Sequence, residues 1–101
     1  YKAFFAKYLA GADFENGSYV TGYMQGMILE EILRKCGNDL SRKNIIKQAK
    51  SLSHLVLPTA FPGIEVNTSE SSNMIWSQMQ LQQWSGSSFE PFGAVLDASS
   101  E

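Results

Sequence analysis

The sequence predicts a mixed α/β arrangement, three helices followed by a short antiparallel β segment, and three observations carry that prediction. Apolar residues recur at three- and four-residue spacing through the first half, between recognisable start and stop signals. Apolar and polar residues alternate in residues 64–67 and again in 75–84. Between the two regimes, Pro58 and Pro62 remove backbone donors and stop further helix. The stretch 57–95 therefore reads as the close of a larger α/β fold, to which the preceding helices contribute one part.

The first helix is expected over residues 1–10, with Phe4, Phe5, Tyr8 and Leu9 on one face toward a core and Lys2 and Lys7 in water. Two glycines and small polar groups in residues 11–17 break it. Ser18 is then a candidate N-cap for a second helix running to Cys36. That helix carries Tyr19, Gly22, Tyr23, Gly26, Leu29 and Leu33 on one side and Val20, Met24, Met27, Ile28 and Ile32 on another, so its first half is expected to be covered on both sides. Gly22 and Gly26 each cost about 1 kcal/mol of helix stability relative to alanine, which points to close approach of another backbone. Gly37 is placed to end the helix with a left-handed residue, and Arg34 and Lys35 suit its negative end.

Ser41 is the expected N-cap of the third helix, with Ile45, Ile46, Ala49 and Leu52 as its buried stripe and Arg42, Lys43, Lys47 and Lys50 as a solvated basic face. Beyond Leu55 the chain is expected to cross the molecule in an extended path. Ile64 and Val66 then share one strand face, as do Met79 and Leu81. Trp84 is out of phase with that second pair, which calls either for a bulge near Gln83 or for a side chain on the opposite sheet face. Ser85 and Gly86 favour a hairpin turn into Phe89, and residues 96–101 read as a frayed tail.

Composition narrows the function classes. With 101 residues, 44% hydrophobic and 18% charged, the chain suits one small compact unit. A formal net charge of -2 and an isoelectric point near 5.3 provide no basic field for a nucleic-acid backbone. Glu30, Glu31, Arg34 and Lys35 interrupt the only long apolar candidate, so it falls short of the roughly 18 residues of a membrane span. Cys36 stands alone, which removes an intrachain disulfide and a multi-cysteine metal site and favours a helix-packing thiol. The start at Tyr1, inside an amphipathic pattern and without an initiator Met or signal peptide, leads us to expect further sequence upstream.

No catalytic set emerges from these residues. His54 is the sole histidine, and Ser51 and Ser53 beside it do not make a triad without an orienting carboxylate and an oxyanion site. Adjacent Glu30 and Glu31 project about 100° apart on a helix and do not form an acid/base pair. The glycines do not build a phosphate loop, and no cofactor or metal site is expected. Asn16-Gly17-Ser18 and Asn67-Thr68-Ser69 match the glycan acceptor pattern, but turn and capping roles are preferred.

The order of short elements carries more than any one of them. Tyr19-Val20-Thr21-Gly22-Tyr23, a long helix to Gly37-Asn38-Asp39-Leu40-Ser41-Arg42, a third helix, Leu57-Pro58, Pro62-Gly63-Ile64-Glu65-Val66-Asn67 and Gln78-Met79-Gln80-Leu81 follow one another in this chain. Together, over residues 1–95, they resemble the C-terminal part of extracellular solute-binding proteins, in particular the branched-chain amino-acid (Leu/Ile/Val-binding protein-like) receptors of ABC transporters. The resemblance implies the type I periplasmic-binding-protein fold, an α/β architecture of two lobes that close over a small ligand. On it, residues 1–56 belong to one lobe, 53–63 contain an interlobe crossing, and 64–95 supply terminal strands of the other lobe.

What the resemblance implies about function is a receptor rather than an enzyme. Its ligand would be an amino acid or related carboxylate, its partners the ABC permease and the remainder of its own chain, and its location the bacterial periplasm or cell exterior. By position, the ligand-contacting segment of the family falls on Ser18 or Tyr19, where a hydroxyl would donate to a carboxylate and a ring would wall an apolar group. The bland alternatives are that Ser18 caps its helix and Tyr19 packs. Two other functional readings stand beside transport: a sensory receptor of the same fold, and a free-standing α+β module that binds a partner through the basic third helix or a strand edge. An apolar second helix without a covering sheet would also favour self-association of this chain.

Overall fold

A computed structural model describes residues 1–72 and 74–98. Three helices come first: α1 (Lys2–Tyr8), α2 (Gly17–Cys36) and α3 (Arg42–Ala49). Six short strands follow: β1 (Leu55–Val56), β2 (Glu65–Val66), β3 (Gln78–Met79), β4 (Gln82–Trp84), β5 (Phe89–Pro91) and β6 (Leu96–Asp97). They form three separate antiparallel pairs, β1 with β2, β3 with β6 and β4 with β5. The expected class, three helices and then small antiparallel strands, is the one observed.

α1 stops at Tyr8, two residues short of the expectation, with Leu9 leaving helical geometry and its N–H bonded to Phe5. Phe5 is its buried residue; Phe4 and Tyr8 remain exposed. The rings of Phe14 and Tyr19 meet Phe5 edge-on, at 5.1 and 5.5 Å between centroids, so an aromatic cluster ties α1 to the start of α2.

The start of α2 corrects the capping assignment. Asn16, in extended conformation, accepts a hydrogen bond from the Ser18 N–H at 3.0 Å through its side chain. The cap is Asn16, and Ser18 is the second helical residue whose orphan donor the cap satisfies. Met24, Ile28, Ile32 and Cys36 recur every four residues along the stripe that turns inward, and Ile28, Ile32 and Cys36 are buried. At the other end Gly37 has φ 58° and bonds its N–H to Arg34, as its glycine signal predicted. Arg34 pairs with Glu30 at 2.6 Å on the exposed face.

Gly22 and Gly26 receive no close neighbour: a Cβ at either position would meet nothing within 4 Å. The expected close backbone approach is therefore not made among the described residues, and the first half of α2 is open on that side.

Ser41 caps α3 as expected, accepting from the Asn44 N–H at 3.3 Å. The expected buried stripe is only partly realised. Ile45 and Ala49 are half-buried, Ile46 is exposed, and the helix has ended before the buried Leu52. Leu52 is held instead by Thr68, whose hydroxyl accepts from the Leu52 N–H at 2.9 Å and donates to the Ala49 carbonyl at 2.7 Å. That carbonyl is one of the unpaired acceptors at the end of α3. The Thr68 N–H in turn donates to the Leu52 carbonyl at 2.9 Å.

The core lies where these pieces converge, with Ile28, Ile32, Leu52, Leu57 and Val66 in one buried cluster. Ile64 and Val66 both point inward, as their alternation predicts, and Val66 is fully buried. The second alternating segment behaves differently. Its pairing changes partner at Gln80 and Leu81, splitting it into β3 and β4, and Met79 and Leu81 stay exposed. Gln80 fills the break, its side-chain amide donating to the Phe92 carbonyl at 2.7 Å.

The hairpin at Ser85 and Gly86 forms as expected, with Trp84 opposite Phe89. Leu96 and Asp97, assigned to a frayed tail, are instead strand β6. Leu96 pairs with Met79, Asp97 pairs with Gln78, and the Ala98 N–H bonds the Ser77 carbonyl. Backbone pairing at this edge holds the segment where side-chain composition gave no anchor. The rest of the expected tail, residues 99–101, lies outside the described residues.

Candidate functional site

The open side of α2 forms one wall of a groove of about 570 Å³. Phe4, Tyr8 and Leu9 come from α1 and its end; Ser18, Tyr19, Gly22, Tyr23, Gly26, Met27 and Glu30 come from α2. Helical periodicity explains the set, because positions 19, 22, 23, 26, 27 and 30 fall along one face. The glycines deepen the groove by leaving space where side chains would stand.

Both residues assigned from sequence lie here. Tyr19 packs one side of its ring edge-on against Phe5 and is 36% exposed, so packing and groove-lining are combined in one side chain. Ser18 is exposed at the same end of the groove, its N–H taken by the Asn16 cap. Tyr23 stacks obliquely on Phe4 at 4.9 Å and fixes the opposite wall. Glu30 closes the far end with its carboxylate turned to Arg34.

This lining is mainly apolar and aromatic, with tyrosine and serine hydroxyls and the Glu30 carboxylate as its polar groups. It suits an apolar or aromatic ligand group held by a few hydrogen bonds. It does not assemble a proton-transfer pair, since Glu30 is engaged by Arg34 and His54 is elsewhere. Among the described residues, no group of three or more His, Cys, Asp or Glu side chains could hold a metal ion. No helix among them is long and apolar enough to cross a membrane.

His54 has a local structural role that sequence reading missed. Its backbone takes φ 51°, its N–H donates to the Asn67 side chain at 2.8 Å, and its Nδ1 lies 2.6 Å from Glu65. The partners are 13 and 11 residues away, brought together by the β1–β2 pairing, so no local spacing signals them. Ser51 bonds the Gln48 carbonyl rather than the histidine. Of the two acceptor-pattern asparagines, Asn16 serves the local backbone at Ser18 and Asn67 the remote backbone at His54. Cys36 is buried at the end of α2, as a packing residue would be.

A second opening, of about 480 Å³, lies on the other side of α2 between Val20, Met24, Phe61, Ile64, Trp76 and Met79. The two-sided apolar pattern of α2 signalled that such a surface exists, but the strand residues facing it are remote in sequence. Asp39 carries a perturbed carboxyl and lies outside both openings. Hydrogen bonds from the Ser41 backbone and hydroxyl hold it below its usual value. Comparison with protein-family models, curated proteins and solved structures finds no match for this chain.

Proposed function

We propose that this chain forms the C-terminal part of a bacterial type I solute-binding receptor of the branched-chain amino-acid family, which captures an amino acid or related carboxylate for an ABC permease in the periplasm or at the cell exterior. The observation that carries the reading is the location of Ser18 and Tyr19, the two positions assigned by resemblance, on one groove at the start of α2. In this role the Ser18 hydroxyl donates to the ligand carboxylate, and the Tyr19 ring walls its apolar side. Residues 53–63 act as an interlobe crossing, and closure buries the ligand between lobes. Preferential binding to the closed form shifts the population toward the state presented to the permease.

The open strand edge at β4 favours the second reading, a free-standing α+β interaction module. Titration of the isolated chain with leucine, valine and glutamine, followed by amide NMR, separates the two. The receptor reading expects weak, unsaturated shifts centred on residues 16–23, because most of the cleft would come from other parts of the receptor. Saturable submillimolar binding by the isolated chain, or shifts that leave residues 16–23 untouched at high ligand concentration, would overturn it.

A further inference from the structure

We propose that the free edge of β4 is a homodimerisation site, at which a second copy of this chain adds its own β4 in antiparallel register. The inference deepens the interaction-module reading and rests on hydrogen-bond phase and edge chemistry.

The phase follows from the bonds flanking the hairpin. The Phe92 N–H donates to the Leu81 carbonyl at 3.0 Å, and the Ser85 N–H donates to the Ser88 carbonyl at 2.9 Å. In an antiparallel ladder bonded and non-bonded pairs alternate, so Gln83 and Glu90 form the bonded pair between these two. The backbone groups of Gln82 and Trp84 consequently turn away from β5. No other strand takes them among the described residues, since β4 and β5 form a two-stranded sheet.

The hairpin's two edges are not equivalent. On β5 the outward positions are Phe89 and Pro91; Pro91 has no N–H, and Glu90 adds a charge. Proline and charge are the devices that keep an edge strand from pairing. β4, Gln82-Gln83-Trp84, has neither. Its surroundings do not compensate, because Glu90 is the only charged residue between positions 71 and 96.

The free edge is also self-complementary. A two-fold axis at Gln83 sets Gln82 opposite Trp84 of the second copy and Trp84 opposite Gln82 of the second copy. Each of these pairs exchanges both backbone bonds. Gln83 then faces its own copy, where two neutral amides can each donate and accept. The product is a four-stranded sheet, β5-β4-β4-β5, in place of two isolated hairpins that are marginal in water.

The chain as a whole leaves surface for a partner to cover. The chain exposes 7526 Å² and has a radius of gyration of 16.1 Å, with extents of 50 × 41 × 15 Å. A compact monomer of this mass would expose about 5,700 Å² with a radius of gyration near 13 Å. The excess, about 1,800 Å² per chain, is spread over the whole chain, and the three-residue β4 edge accounts for part of it.

Sedimentation velocity of the 101-residue chain over a concentration series tests the proposal. Gln82→Pro removes an outward donor and leaves the β5 bonds intact, while Gln83→Lys sets two like charges face to face. A monomer–dimer equilibrium is expected for the native chain, with its dissociation constant raised at least about tenfold by either variant. An equimolar mixture of Gln83→Lys and Gln83→Glu chains should restore a mixed dimer. Hydrogen exchange on the unmodified chain gives an independent reading, with the Gln82 and Trp84 amides slowing as concentration rises. A native chain that stays monomeric, a dimer insensitive to these variants, or Gln82 and Trp84 amides that exchange equally at all concentrations would overturn the proposal.

Discussion

In the helical half, Ile28 and Ile32 of α2 meet Leu52, Leu57 and Val66 in one buried cluster; in residues 74–98, Met79, Trp84, Phe89 and Leu96 stay exposed although their strands are paired. Both regions contain paired strands, but only the first buries its side chains. The difference lies in layering. α2 and α3 lie against each other and against the β1–β2 pair, whereas β3–β6 and β4–β5 are two-stranded ladders without a covering element among the described residues. A ladder organises backbone, while a core requires a second layer to exclude water from the apolar faces.

Truncation of a core side chain should separate the two regions most strongly. Ile28→Ala is expected to cost about 3 kcal/mol in urea denaturation, from lost transfer energy and a residual cavity. Trp84→Ala, at an exposed position, should cost less than about 1 kcal/mol in dilute monomer. Equal losses at the two sites would show that the β region is packed as firmly as the helical core.

Thr68→Val tests the junction between the regions. The substitution keeps the shape but leaves the Leu52 N–H and the Ala49 carbonyl without their side-chain partner. A loss of about 2 kcal/mol is expected, with faster hydrogen exchange at Leu52. An unchanged denaturation midpoint would mean that water replaces the hydroxyl freely.

The capping assignment predicts a smaller contrast. Asn16→Ala should lower stability by about 1 kcal/mol, and Ser18→Ala should change it by less than about 0.5 kcal/mol. Equal effects would return the cap to Ser18.

The smallest effect is the acid response at Asp39. Its folded-state carboxyl is held below the usual 3.8, so the unfolded chain binds the proton more readily. Its stabilising contribution is therefore present above 3.8 and disappears as pH falls through the lowered folded value. Acid titrations of the native chain and Asp39→Asn should differ above that window and converge below it.

The helix boundaries were legible because their signals are local. Ser41 and Gly37 each act on backbone within three residues, and the four-residue recurrence from Met24 to Cys36 sets the buried stripe. Ser18 misled by two residues because Asn16 offers an equally good side-chain acceptor nearer the chain break. Of the candidate groove, Ser18 and Tyr19 are assigned by the family resemblance, whereas Phe4, Tyr8 and Leu9 join it only through the packing of α1 beside α2.

By itself the sequence determined three helices, the caps at Gly37 and Ser41, the inward face of Ile64 and Val66, and a turn after Trp84. These follow from side-chain periodicity and from donors and acceptors a few residues apart. Tertiary structure decided that β3 would leave β4 to pair with β6, that His54 would meet Glu65, that Thr68 would hold the end of α3, and that Gly22 and Gly26 would line an opening. Each of these outcomes depends on groups distant along the chain or on the lack of a neighbouring layer, for which a local amino-acid pattern contains no direct signal.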